Sequence, residues 1–249
     1  MPNTPWPRPL FAPGGGDAHL EFVVFAPSQL HWTRTLTDEG SPLAELPEGL
    51  GAQVFERRSA GEFAEWADSL TELPDAPAPK RLRGAGCWYV VSGATPSAPD
   101  LAAMQAAWAL VRVFLRAGGL AVWDSYAMRW TSAEEALAAD PAMPLLAAAF
   151  DVSACDAEQQ GIIAVHTLGL AKFGRPDLIT FGPPRNGELL HNLVYGLALD
   201  LVEGAVLGAG ALLKKGGLTV ETAVYAPGVN GPTVPVPFFG EPLVLLPVS

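Results

Sequence analysis

Six side chains stand out as candidates for chemistry or recognition: Asp124, Trp130, His166, Lys172, Arg175 and Asp177. Asp124 closes the apolar run 120–124, at the C-terminal end of an expected strand. Sites in α/β sheets gather at such ends, and so do ordinary turn residues. His166 lies inside the apolar run 161–169. An imidazole there serves as a proton carrier, a metal ligand or a hydrogen-bonded core group, the last being the reading favoured for a lone histidine. Lys172, Arg175 and Asp177 place two cations and a carboxylate in one short segment, where Asp177 can cap a turn or pair with either cation. Trp130 belongs with Trp88, Trp108 and Trp123 to an aromatic concentration. This is an aromatic core or, alternatively, a binding surface.

Other chemistries lack their signatures. No G-x-x-x-x-G-K-[ST] loop and no correctly placed G-x-G-x-x-G occurs, and Gly14-Gly15-Gly16 precedes a strand rather than linking strand to helix. His19, His31, His166 and His191 are isolated, with no C-x-x-C or H-E-x-x-H spacing, so neither a metal nor a cofactor is expected. There is no G-x-S-x-G elbow. Cys155 lies near Asp151 and Asp156, which disfavour a thiolate.

The composition narrows the partners. The chain has 249 residues with 26 acidic and 15 basic side chains, a formal net charge of −11. That balance argues against binding to phosphate backbones. Hydrophobic residues at 49% rule out disorder throughout, and two cysteines cannot staple a disulfide scaffold. The start, interrupted by prolines, does not read as a signal peptide, and reduced cysteines suit a cytoplasmic protein. Mean hydropathy is positive at +0.24. Even so, the most apolar window, 189–213, contains Asp200 and Glu203, so membrane insertion is not expected.

The elements that would position the candidates follow from periodicity and punctuation. Residues 1–18 read as a Pro-rich arm ending in a glycine hinge. Strands are expected at 19–26, 52–57, 87–92, 120–124, 161–169, 178–181 and 218–225, with a final apolar strand or Pro-limited extended edge at 242–248. Helices are expected at 59–70 with a Ser59/Glu62 capping box, from about 100 to 116, after Ser132 with a Ser132/Glu135 box, and from 187 to about 206. An Ala-rich helical turn is expected between Pro144 and Asp151, and 72–86 reads as a linker. The sum is an α+β fold with mixed, largely antiparallel sheets and helices packed on one face. Two related α+β halves are one option: the arm 1–18, an N-terminal part 19–150 and a C-terminal part 151–249, which can also form one continuous domain.

The segment His166-Thr167-Leu168-Gly169-Leu170-Ala171-Lys172-Phe173-Gly174-Arg175-Pro176-Asp177-Leu178 resembles a recurrent pattern, T-x-G-L-x-x-F-G-x-P-[DE]-L, of an uncharacterised bacterial domain family of unknown function. The resemblance extends loosely over residues 87–246. It is similar, more distantly, to Suppressor-of-fused-type domains, α+β interaction modules whose bacterial versions are often immunity proteins paired with toxins. The resemblance implies no catalytic residues. Together with the acidic balance, it favours a non-catalytic protein-binding module, with an immunity-type inhibitor as one form and a basic protein as the expected partner. The alternatives are a ligand-binding protein or enzyme using Asp124, His166 and Asp177, and a structural subunit of a larger assembly. The oligomeric state is not legible.

Overall fold

The computed structural model describes residues 5–31, 46–140, 149–215 and 217–248. The fold is α+β, with two sheets and five α-helices among the described residues. The expected turn between Pro144 and Asp151 falls largely on 141–148, outside the described residues. The chain divides into two units. One comprises 1–6, 19–95 and 100–144; the other comprises 7–18, 96–99 and 145–249.

The first unit is built on a five-stranded sheet. Its strands are β1 (Ala18–Ala26), β2 (Leu50–Glu56), β3 (Cys87–Thr95), β4 (Ala121–Asp124) and β5 (Arg129–Ser132), in the order β2-β3-β1-β4-β5. Both faces are covered, because alternate residues of a strand point to opposite sides. Val23, Phe25, Trp88, Val90, Trp123 and Trp130 pack with Ala67, Leu70 and Leu82 of helices α1 (Glu62–Leu70) and α2 (Pro79–Arg83). On the other side, Phe22 meets Trp108 and Tyr89 meets Phe114, both from α3 (Ala102–Arg116). Trp88 and Trp123 are fully buried. Each removes on the order of 150–250 Å² from water, roughly 4–6 kcal/mol.

Two local expectations change. Residues 72–86 are not a linker: α2 forms there behind Pro79, and Leu82 enters the core. Helix α1 starts at Glu62 behind Gly61, and Ser59 instead donates to the Glu56 carbonyl, so the Ser59/Glu62 box does not form. The Ser132/Glu135 box does form, at α4 (Ala133–Ala138). The Glu135 amide donates to Ser132 Oγ at 3.2 Å, and Ser132 N donates to Glu135 Oε2 at 2.9 Å. These bonds hold the Glu135 carboxyl below its ordinary range. Ser132→Ala is expected to cost about 1 kcal/mol in urea unfolding; an unchanged midpoint would refute that role for the cap.

The second unit is built on a six-stranded sheet. Its strands are β6 (Asp151–Asp156), β7 (Ile163–Leu168), β8 (Leu178–Gly182), β9 (Leu212–Lys215), β10 (Leu218–Val224) and β11 (Leu243–Pro247), in the order β6-β7-β8-β11-β10-β9. Every pairing is antiparallel except β8 with β11, which is parallel. The final segment, expected as an apolar strand or an extended edge, is therefore a strand in the interior of the sheet. Pro242 and Pro247 stand at its ends, so Leu243 to Leu246 keep their N–H groups for the ladder. Helix α5 (Gly187–Val202) covers one face, with Leu190, Leu193, Val194, Leu197, Ala198 and Leu201 buried. On the opposite face Ala164, Ile179 and Val244 are covered by Tyr225, Val234 and Phe238, all within the excursion 225–242 between β10 and β11.

Candidate functional site

The six candidate residues separate between the units. In the first unit Asp124 is a turn residue: its Oδ1 accepts from the amides of Tyr126 and Ala127 at 3.2 and 3.0 Å. Trp130 is core. It lies opposite Trp123 in the β4–β5 ladder, packs edge-on to Phe25, and donates Nε1–H to the Leu70 carbonyl at 3.3 Å. The aromatic concentration is thus chiefly interior, with Trp88, Trp123 and Trp130 all buried.

The other four lie in the second unit. His166 is buried on β7 with its ring edge-on to Phe238. It is a core group interacting with the Thr167 backbone, although its Nδ1 has no hydrogen-bond partner. Burial pushes its pKa down, so the neutral imidazole is favoured.

Lys172, Arg175 and Asp177 sit in the turn joining β7 to β8. Gly169 and Gly174, both at positive φ, bracket a 3-10 turn over Leu170–Phe173. A Cβ on Gly174 would lie 2.1 Å from the Gly16 carbonyl oxygen, so only glycine fits. Asp177 is 2% exposed. Its Oδ1 accepts from Thr167 Oγ1 at 2.9 Å and from the Leu170 amide at 3.2 Å, while Thr167 Oγ1 accepts from the Leu178 amide at 2.8 Å. Oδ2 has no hydrogen-bond partner. Burial outweighs these bonds and the nearby Lys172 charge, and pushes the carboxyl up to about 7. Lys172 is buried as well, at 1% exposure.

Arg175 turns away from Asp177. It donates Nε–H to the Ala205 carbonyl at 2.6 Å and Nη2–H to the Gly204 carbonyl at 2.8 Å, and Nη1 reaches Ser97 Oγ and the Gly174 carbonyl. Beside it lies a residue that sequence reasoning passed over. Arg8, from the Pro-rich arm, donates to the carbonyls of Val202, Leu201, Phe173 and Ala98 and to Ser97 Oγ. Among the described residues neither arginine has a carboxylate partner. Burial and the Arg175 charge lower the Arg8 pKa to about 10, and burial lowers that of Arg175.

The purpose of the pair is legible in α5. The helix ends in carbonyl dipoles that no basic residue of its last turn complements, and Asp200 and Glu203 stand near its end. Two cations from elsewhere in the chain complement that negative end. The glycine run accordingly packs rather than hinges: a Cβ on Gly15 would fall 1.5 Å from Arg175 Nη1, and the Gly16 amide donates to the Gly174 carbonyl. The available signal was that Arg8 is the only cation before Arg34. In the first unit Arg112 does the same work, donating to the carbonyls of Ala136, Leu137 and Ala139 at the end of α4.

A groove of about 290 Å³ opens elsewhere on the second unit, lined by residues of 224–242 that include Tyr225, Val234, Val236, Phe238 and Glu241. Sequence reasoning missed it too, although T-V-P-V-P-F at 233–238 alternates like an extended wall. No group of three or more His, Cys, Asp or Glu with metal-site geometry occurs among the described residues. Both cysteines are free, and burial pushes both thiols up. No described helix is long and apolar enough to cross a membrane. No family model matches the chain, and neither a curated protein nor a solved structure matches it.

Proposed function

We propose that the chain is a non-catalytic protein-binding module, with an immunity-type inhibitor of a basic effector as the form that the motif resemblance and the charge favour. The observation that carries this reading is how the titratable groups are used. Arg8, Arg175 and Asp177 are buried and hydrogen-bonded to the scaffold. The groove at 224–242 is apolar, with Glu241 its one charged lining residue, and holds no nucleophile beside a base. The inward-facing cations Arg8, Arg112, Lys172 and Arg175 leave a surface more acidic than the net charge of −11 alone suggests. Such a surface speeds encounter with basic proteins and rejects acidic ones.

The test is capture of the tagged chain from its native host, followed by association kinetics with the captured protein. A stoichiometric basic partner is expected, its association rate falling at least about ten-fold between roughly 50 mM and 500 mM salt. Capture of no partner, with thermal stabilisation by a metabolite instead, would overturn the reading.

A further inference from the structure

Resting on the protein-binding reading, we infer that the groove at 224–242 docks an extended cationic segment of the partner, seating one or two apolar side chains over Tyr225 and Phe238 while flanking Lys or Arg side chains meet Glu158 and Glu241.

The wall is preformed. From Thr233 to Phe238 the side chains alternate: Val234, Val236 and Phe238 are half-buried, whereas Thr233, Pro235 and Pro237 are exposed. Pro235 and Pro237 fix φ at two positions of this wall, which reduces the backbone freedom to be lost there on binding. Tyr225 anchors it, its hydroxyl hydrogen-bonded to the Pro232 carbonyl at 2.5 Å and its ring against Phe181 and Phe238. With that hydroxyl engaged, the floor selects by shape and apolar area. An apolar cavity of about 150 Å³ takes one benzene-sized group, so a groove of about 290 Å³ suits one or two side chains rather than a cofactor. Val224 and Phe239 are exposed beside it, and Val229 is 84% exposed, leaving apolar surface to be covered.

The charge decides the occupant. Glu241 lines the groove, and Glu158 is tied to its wall by its amide donating to the Thr233 carbonyl. No Lys or Arg follows Lys215 in the chain, and none lies between Arg129 and Lys172, the stretch that supplies β6 and β7. An anionic lipid surface or a nucleic acid is repelled by such a rim, and so is a second copy of this chain at net charge −11. A cationic segment is attracted.

The experiment uses the full chain and three fluorescein-labelled nonapeptides: Lys/Arg-rich with a central Trp, the same with Glu for every cation, and the same with Ala for Trp. At roughly 50 mM salt the Trp-centred cationic peptide is expected to bind at least ten-fold tighter than either control. The Glu158→Lys/Glu241→Lys double variant, altered only at exposed positions, is expected to weaken it at least ten-fold with an unchanged melting temperature. Equal affinity for the three peptides, no binding of any, or an unaffected double variant would overturn the inference. A partner captured equally by wild type and double variant would overturn the groove assignment while leaving the protein-binding reading intact. Capture of no partner, with thermal stabilisation by a metabolite instead, would overturn that reading itself.

Discussion

Arg8→Ala is expected to destabilise the protein by about 3–5 kcal/mol, the largest effect of any single substitution considered. Arg8 donates to four carbonyls and one hydroxyl, among them Leu201 and Val202 at the end of α5. Alanine strips the guanidinium from all five acceptors; the Leu201 carbonyl keeps the Gly204 amide and Ser97 Oγ keeps Arg175, but each buried group left unsatisfied costs about 1–3 kcal/mol. The loss stays below the sum because removing Arg8 also relieves its repulsion with Arg175 and the cost of burying the charge. Arg8→Lys separates charge from geometry. An ammonium keeps the charge but lacks the planar fork of five N–H groups, so lysine is expected to recover less than half of the loss. Urea unfolding monitored by tryptophan fluorescence checks both. A midpoint for Arg8→Ala within about 1 kcal/mol of wild type would show that water replaces the guanidinium, and the arm would then be an accessory.

The second large effect is on pH dependence. The Asp177 carboxyl is raised from 3.8 to about 7 by burial. Between those values the native state binds a proton that the unfolded chain has released, so stability falls as pH rises through this window and levels off above about 7. At about 1.4 kcal/mol per unit, the ceiling from this group is roughly 4 kcal/mol. His166 acts in the opposite sense. Its pKa is lowered, so the unfolded chain binds the extra proton and stability rises with pH up to the ordinary histidine range. The difference between wild type and Asp177→Asn isolates the carboxyl, because asparagine keeps an Oδ1 acceptor for Thr167 and Leu170 but cannot ionise. Relative to wild type, the asparagine variant is expected to gain stability steadily from pH 5 to 7. Parallel profiles across pH 5 to 8 would sink the assignment.

These two residues mark the limit of reading the chain as a string. Local features were legible because their causes are local. The Ser132/Glu135 box needs only residues three apart, and the apolar runs of β1, β3 and β7 carry the hydrophobic signal of buried strands. The acidic balance and the missing catalytic spacings are properties of composition and order, so the classes they disfavour needed no coordinates. The motif at 166–178 was visible as glycine and proline punctuation, and Asp177 as a cap was one of its two readings.

What escaped was set by partners distant in sequence. Strand β6 (Asp151–Asp156), with an acid at each end, carries no strand signal of its own and forms where β7 supplies its ladder. Strand β11 was legible as an apolar strand or an edge, and only its pairing with β8 and β10 makes it interior. Asp124 and Trp130 each carried two readings from position and type, and the fold makes one a turn residue and the other part of a core. Arg8 carries no local mark of importance, since its acceptors lie 90 or more positions away apart from Ser97, at 89. By itself the sequence determined the secondary-structure periods, the charge and the tight backbone positions, because those depend on neighbours along the chain. The tertiary structure alone decided which polar groups lost their water and which apolar wall stayed open, because desolvation depends on what packs against a group from elsewhere in the fold.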